Sequence, residues 1–358
     1  MKALVLPRGK SAAELQDWPL PPAAEAAQTM LRTLEVGVCG TDRLLLEGIE
    51  GMPPQGENAL VLGHEGLFEV VSSSAGQALN PGDLVVTSVR WPDPRPCAFC
   101  AAHRPDLCLT GEWVEHGIRG EHGFMREFWL AENSRLEIVP AGLRDIAVLL
   151  EPLSVVVKGL EMVTAVEATR PRRGGEAVVL GAGTVGILTA AGLILEGRSV
   201  RVVDRVSHDS RKSRILGQLG AEYTQIDDLG RNDELARLLA GADVVVEAAG
   251  TPQVLTTALS FVRANGTVLV LGTGEHAWPT TVDLNAVARA LVQENKTILG
   301  SVNASPEHLR RAIGVLDAMA GRWPGVLQSS LRRFPASEFA QALSPAPDAY
   351  VKAVISFE

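Results

Sequence analysis

Ala177-Val178-Val179-Leu180-Gly181-Ala182-Gly183-Thr184-Val185-Gly186 decides the fold. Four apolar residues run straight into Gly-x-Gly-x-x-Gly, and a helical apolar run follows over 187–195. The glycines permit a tight turn and close backbone approach, while the helix N-terminus points free N–H groups at a pyrophosphate. The glycine pattern alone is weak evidence. Here a second apolar run ends at Asp204, where a carboxylate can accept hydrogen bonds from ribose hydroxyls. The combination predicts a dinucleotide site formed by Gly181, Gly183, Thr184, Val185, Gly186, Asp204 and Arg205. The charge of Asp204 opposes a 2′-phosphate, so NAD is expected over NADP, with Arg205 leaving room for tolerance of NADP.

Outward from this stretch, apolar runs at 177–180, 200–204, 244–247 and 268–271 alternate with longer helical patterns. That is the rhythm of right-handed βαβ units in a parallel sheet. Residues 28–36, 67–72, 84–87 and 124–130 read instead as strands of an irregular, mostly antiparallel domain punctuated by Gly and Pro. Ser305 can cap a helix with Pro306 at its first position, and Leu309, Ile313 and Leu316 share one face until Gly321 stops it. Residues 350–357 alternate like a strand again, and 170–175 read as a solvated turn. The expected fold class is α/β: a β-rich domain of 1–152 and 321–358, interrupted by a dinucleotide-binding domain of 153–320.

Composition limits the partners. The 358 residues are 46% hydrophobic and 21% charged, within the range of folded proteins. Thirty-three Lys and Arg stand against 42 Asp and Glu, a net charge of -9 that repels phosphate backbones and anionic lipid, so no nucleic acid and no membrane partner is expected. The N-terminal apolar run ends at Pro7, too short for a secretory core, and the run 185–195 is about half the roughly 20 residues of a membrane span. Three of the four cysteines, Cys97, Cys100 and Cys108, cluster in a way that suggests metal in a reducing compartment, hence the cytoplasm.

Cys39 lies in Gly37-Val38-Cys39-Gly40-Thr41-Asp42, His64 and Glu65 in Gly63-His64-Glu65, and Glu151 in Glu151-Pro152-Leu153. Each alone has a bland reading, as a small buried hydrophobe or a structural histidine. Together they offer thiolate, imidazole and carboxylate, and three protein ligands with one open position make a catalytic zinc site.

These motifs, in this order and over essentially the whole chain, resemble the zinc-dependent medium-chain alcohol and polyol dehydrogenases. The glucose dehydrogenase branch is most similar, through Val-Leu-Gly-His-Glu at 61–65, Arg-Pro-Asp-Leu-Cys-Leu-Thr-Gly-Glu at 104–112, His-Gly-Phe-Met-Arg-Glu at 122–127 and Asn-Lys-Thr-Ile-Leu-Gly-Ser-Val-Asn at 295–303. The resemblance implies a Rossmann-type domain joined to a GroES-like catalytic domain. It implies that Cys39, His64 and Glu151 bind zinc, with Glu65 a ligand or exchanging with water and substrate. Thr41 is then the hydroxyl that relays the alcohol proton, and Asp42 orients His64; the bland reading is that both organise a turn. Cys97, Cys100 and Cys108 match a structural zinc lobe that usually has four cysteines. Pro94 stands at the missing place, so a fourth ligand falls to Asp93 or His103, the alternative being a metal-free loop.

Glu115 and Asn303 match positions that hold sugar hydroxyls, but the branch's Asn upstream of the lobe is here Val89. The expected substrate is therefore a small polyhydroxylated molecule, sugar or polyol, with a cyclitol, amino sugar or antibiotic precursor as alternatives. A non-catalytic nucleotide-binding protein or a zinc-free quinone-type reductase on this fold would be expected to lack some of Cys39, His64, Glu65 and Glu151. By the same resemblance a strand near 298–302 extends the sheet across a homodimer, alone or within a homotetramer.

Overall fold

The computed structural model describes residues 1–358 apart from 50, 74–78, 93–94, 171–174, 228–232, 273, 275–280 and 346–348. Alternating apolar residues and tight turns make the strands Gln28–Gly37, Glu65–Ser73, Leu84–Thr87, Phe128–Glu132 and Leu136–Val139. They form a mostly antiparallel sheet that also takes in Leu331–Pro335 and Lys352–Ser356, parallel to each other, from the C-terminal end. The chain thus leaves this sheet after residue 139 and returns to it at residue 331. In between lies a six-stranded parallel sheet in the spatial order Glu222–Gln225, Ser199–Asp204, Glu176–Leu180, Val244–Glu247, Thr267–Val270, Thr297–Gly300. Numbered from Glu176–Leu180, that order is 3-2-1-4-5-6, the doubly wound Rossmann arrangement, whose ligand crevice opens where the first and fourth strands part.

Two long helices bind the halves together. Leu150–Glu167 turns Leu150, Leu153, Val156, Leu160 and Val163 into one core, and Pro306–Arg322 adds Leu309, Ala312, Leu316 and Met319. The expected junctions at 152/153 and 320/321 fall inside these helices, which run through them unbroken. The second helix starts as expected: Ser305 Oγ accepts from the His308 N–H, while His308 Nδ1 accepts from the Ser305 N–H at 3.1 Å. It passes through Gly321, a weak stop without a left-handed turn, and ends one residue later at Arg322.

One local expectation is corrected. The strand expected at 124–130 starts at Phe128. The N–H groups of Gly123, Phe124 and Met125 go instead to the carbonyls of Val61, Gly63 and Leu62, at 2.8, 2.9 and 2.9 Å. A Cβ on Gly123 would stand 2.3 Å from the oxygens of Gly63 and Leu62, so this close approach requires glycine. In the expected solvated turn, Arg170 donates to Thr267 Oγ1 and Thr297 Oγ1, both at 3.1 Å, so its guanidinium clamps two parallel strands; residues 171–174 lie outside the described residues.

Candidate active site

The first glycine of the nucleotide loop, Gly181, follows strand Glu176–Leu180 with φ 107°, a left-handed backbone that side chains disfavour. A Cβ on Gly186 would lie 1.9 Å from the Gly181 oxygen, so the loop closes only if both are glycine. Gly183 is the N-cap of helix Thr184–Leu195 and makes no side-chain cap, which leaves that helix start to a ligand. Asp204 ends the next strand and is tied to the loop: Oδ2 accepts from the Ala182 N–H at 2.5 Å and Oδ1 from the Arg205 N–H at 2.6 Å. Gly183, Thr184 and Val185 line a cavity of about 1100 Å³, with Ala248, Ala249 and Gly250 beyond the neighbouring strand Val244–Glu247. Arg205 is exposed, and the cation that lines the cavity from this side is Lys212.

The other wall of the same cavity carries Cys39, Thr41, His64, Glu65 and Glu151. Cys39 caps the helix Gly40–Leu46, and its sulfur accepts from the Thr41 N–H at 3.2 Å. Asp42 is fully buried, its Oδ2 accepts from the Cys39 N–H at 2.9 Å, and its Oδ1 stands 3.6 Å from His64 Nδ1. Cys39 Sγ and His64 Nε2 are 3.0 Å apart. Burial alone would lower the His64 pKa, but the charges of Cys39 and Asp42 outweigh it and hold it well above its ordinary value. Asp42 is raised, by burial first, with His64 opposing.

Cys39 Sγ, a His64 nitrogen and a Glu65 oxygen lie within 4.8 Å of one another, the convergence of a metal centre. A half-buried thiol and two carboxylates around one imidazole suit a cation among them, and His64 Nδ1 and Asp42 Oδ1 have no hydrogen-bond partner among the described residues. The donor set fits zinc. Glu151, in the first turn of Leu150–Glu167, faces the same cavity but stands outside that 4.8 Å set. Burial of its carboxyl and then the like charge of Glu65 push Glu151 up to about 7.

Two residues that sequence reasoning missed complete this wall. Lys352, on strand Lys352–Ser356, is buried and ion-paired to Glu65. Burial opposes its charge, but Glu65 and Cys39 raise its pKa above the usual lysine value. A Cβ on Gly37 would meet both partners, at 2.3 Å from Glu65 Oε2 and 2.7 Å from Lys352 Cε, so the glycine makes room for the pair. Arg90 is also buried: its Nε donates to Glu115 Oε1 at 2.9 Å, and its guanidinium lies 3.8 Å from the Trp113 ring centre. A charge inside an otherwise apolar strand was the signal for Lys352, and adjacency to Val89 the signal for Arg90. Asn303 Nδ2 donates to the same Glu115 oxygen at 2.6 Å, so the two substrate-side candidates meet across the cavity.

The cysteine lobe stands apart from this cavity. The sulfurs of Cys97, Cys100 and Cys108 lie within 4.8 Å of one another, and the Leu109 N–H approaches Cys97 Sγ at 3.5 Å. That contact and the Cys100 amide lower the Cys97 thiol to about 7. His103 does not join the group, and Asp93 and Pro94 lie outside the described residues.

With this geometry in place, likeness to known proteins is informative. A family described as "Glucose dehydrogenase C-terminus" matches residues 144–357. The chain belongs to the glucose dehydrogenase branch of the zinc-dependent medium-chain dehydrogenases. Glucose 1-dehydrogenase of Thermoproteus tenax is 40% identical over 302 residues, 82% of each chain. That of Methanocella arvoryzae is 36% identical over 316 residues, 87% of each. Among solved structures, Haloferax mediterranei glucose dehydrogenase in complex with NADP, Zn and gluconolactone superposes with a TM-score of 0.91 at 30% identity, covering 100% of this chain and 99% of that one. The Rossmann sheet and the β-rich, GroES-like partner domain are those of this family.

Proposed function

We propose that this chain is a zinc-dependent dehydrogenase that moves hydride between a sugar or polyol, at a hemiacetal or secondary alcohol, and NAD. The single observation that carries the reading is convergence. One cavity of about 1100 Å³ is lined by the Cys39, His64 and Glu65 donor set, by the Gly183 helix start, and by the Glu115–Asn303 pair. Cys39 and His64 are the proposed first ligands, with Glu65 and Glu151 the carboxylates that complete or exchange at the site. When bound, the metal supplies Lewis acidity to the substrate hydroxyl and the nicotinamide supplies the hydride acceptor. Thr41, beside Cys39 on the cavity wall, relays the alcohol proton, accepting it as its own hydroxyl proton passes on toward solvent. Asp42 holds the His64 ring, and Arg90 holds the Glu115 side chain in place for a substrate hydroxyl. Gly183, Thr184 and Val185 seat the pyrophosphate, and Asp204 faces the adenosine ribose. The three lobe thiols are a proposed second zinc site.

The free cysteines suit a reducing cytoplasm, and no helix of the described residues is long and apolar enough to cross a membrane. The open edge of strand Thr297–Gly300 suits a homodimer, itself a building block for a tetramer. The test is NADH formation at 340 nm by zinc-loaded protein with D-glucose beside other aldoses, linear polyols, cyclitols and amino sugars. Turnover of glucose or a related aldose is expected. Turnover of a cyclitol or amino sugar alone would keep the mechanism and reassign the pocket around Val89, Arg90 and Glu115, and no turnover with any alcohol would overturn the proposal.

A further inference from the structure

Asn303 is the substrate-side candidate contributed by the parallel-sheet half of the chain, just beyond edge strand Thr297–Gly300. Its φ of 58° is left-handed, a conformation that asparagine accepts more readily than other residues with a side chain. On the cavity side its Nδ2 is fixed by Glu115 and its Oδ1 accepts from the Ala304 N–H at 2.9 Å. From behind, Lys158 Nζ donates to the carbonyl of Val302 at 2.9 Å.

Lys158 does not line the cavity. It is 4% exposed, on helix Leu150–Glu167, and its charge is met by Asp106 Oδ2 at 2.8 Å. Asp106, 3% exposed in the turn Pro105–Leu107 behind the cysteine lobe, is gripped again by Arg104 through two bonds of 2.9 Å. A buried ion pair contributes little net stability but holds a defined geometry. One unbroken line of polar contacts therefore runs from the lobe through Asp106 and Lys158 to the backbone of 302–303, and on through Asn303 to Glu115.

We infer that Lys158 and Asp106 are positioning residues for sugar binding: they set where Asn303 stands against Glu115, and through it the affinity for the substrate. The inference rests on the sugar dehydrogenase reading above. Lys158→Met is expected to raise the sugar KM about tenfold, the scale of one lost hydrogen bond to a charged group. It should change kcat less than about threefold and leave the dinucleotide KM unmoved, and Lys158→Arg should restore most of the loss. The deciding experiment is a double-mutant cycle on kcat/KM with Asn303→Ala. If Lys158 acts through Asn303, Lys158→Met costs little in the Asn303→Ala background. Losses that multiply, or a dinucleotide KM that rises in step, would overturn the inference. Should Lys158→Met not fold, Asp106→Asn keeps the shape, removes the charge that holds Lys158, and enters the same cycle. A wild-type protein inactive on sugars would strike the functional reading first, and the cycle would then be run on whichever alcohol it oxidises.

Discussion

Glu65 and Lys352 are 3% and 2% exposed, and each is the charge that makes the other tolerable in that place. Removing one member of a buried pair leaves the other uncompensated, which costs about 3–5 kcal/mol, whereas removing both can be nearly neutral. Lys352→Met should therefore lower unfolding stability by about 3 kcal/mol in urea titrations. Lys352→Met combined with Glu65→Gln should recover roughly half of that or more. A Lys352→Met protein as stable as wild type would mean that Glu65 simply takes up a proton and the pair is not a structural unit. Cys39, His64 and Glu65 were legible because ligand chemistry is carried by residue type in short motifs. Lys352 was not, since nothing local connects a lysine in a C-terminal strand to a glutamate 287 positions earlier. The link is made by pairing of Lys352–Ser356 with Gln28–Gly37, which in turn pairs with Glu65–Ser73.

At the scale of elements, strand Thr297–Gly300 pairs with Thr267–Val270 on one side and, among the described residues, has no partner strand on the other. Unpaired edges are normally covered or charged. Here Ile298 is 39% exposed, and Val302 beyond it and Leu284 and Val292 of the preceding helix are 54%, 75% and 78% exposed. The helix Leu284–Gln293 buries none of its residues among the described residues, so its apolar side is left largely exposed in one copy. Light scattering should give twice the chain mass or a multiple of it. Val292→Glu with Ile298→Lys should shift the protein toward monomer with its fold retained. An unchanged assembly would put the interface elsewhere. The parallel strands were readable because an apolar run between a turn and a helix has few other uses. The strand at 128–132 was expected to start four residues too early because Phe124 and Met125 are apolar for a different reason: both are fully buried in the antiparallel core while their N–H groups bond an irregular segment.

For the whole molecule, one continuous core runs from Leu34, Leu67 and Val86 of the antiparallel sheet through Leu150, Leu153 and Val156 to Val179, Val202 and Val246 of the parallel sheet. Both halves were legible as units, each with its own period. How they face each other was not, because the cavity wall is assembled from residues as distant as Cys39, Glu151, Asn303 and Lys352. A dinucleotide seated at Gly183 occupies that shared cleft only in the folded protein, so binding should stabilise the chain by about 2.7 kcal/mol at a hundredfold excess over Kd. Which dinucleotide does so depends on Asp204. Its carboxylate is held in place by the Ala182 and Arg205 N–H groups, so it cannot swing away from an added 2′-phosphate, and the repulsion is worth more at a fixed site than at a mobile one. NAD should therefore give the larger rise in Tm at equal concentration and the larger kcat/KM. Asp204→Asn, which keeps one oxygen for the Ala182 N–H, should narrow the ratio between the two cofactors. A larger shift with NADP would overturn that ranking, and would place the 2′-phosphate against Arg205, next to Asp204 in the chain, and Lys212, which lines the cavity.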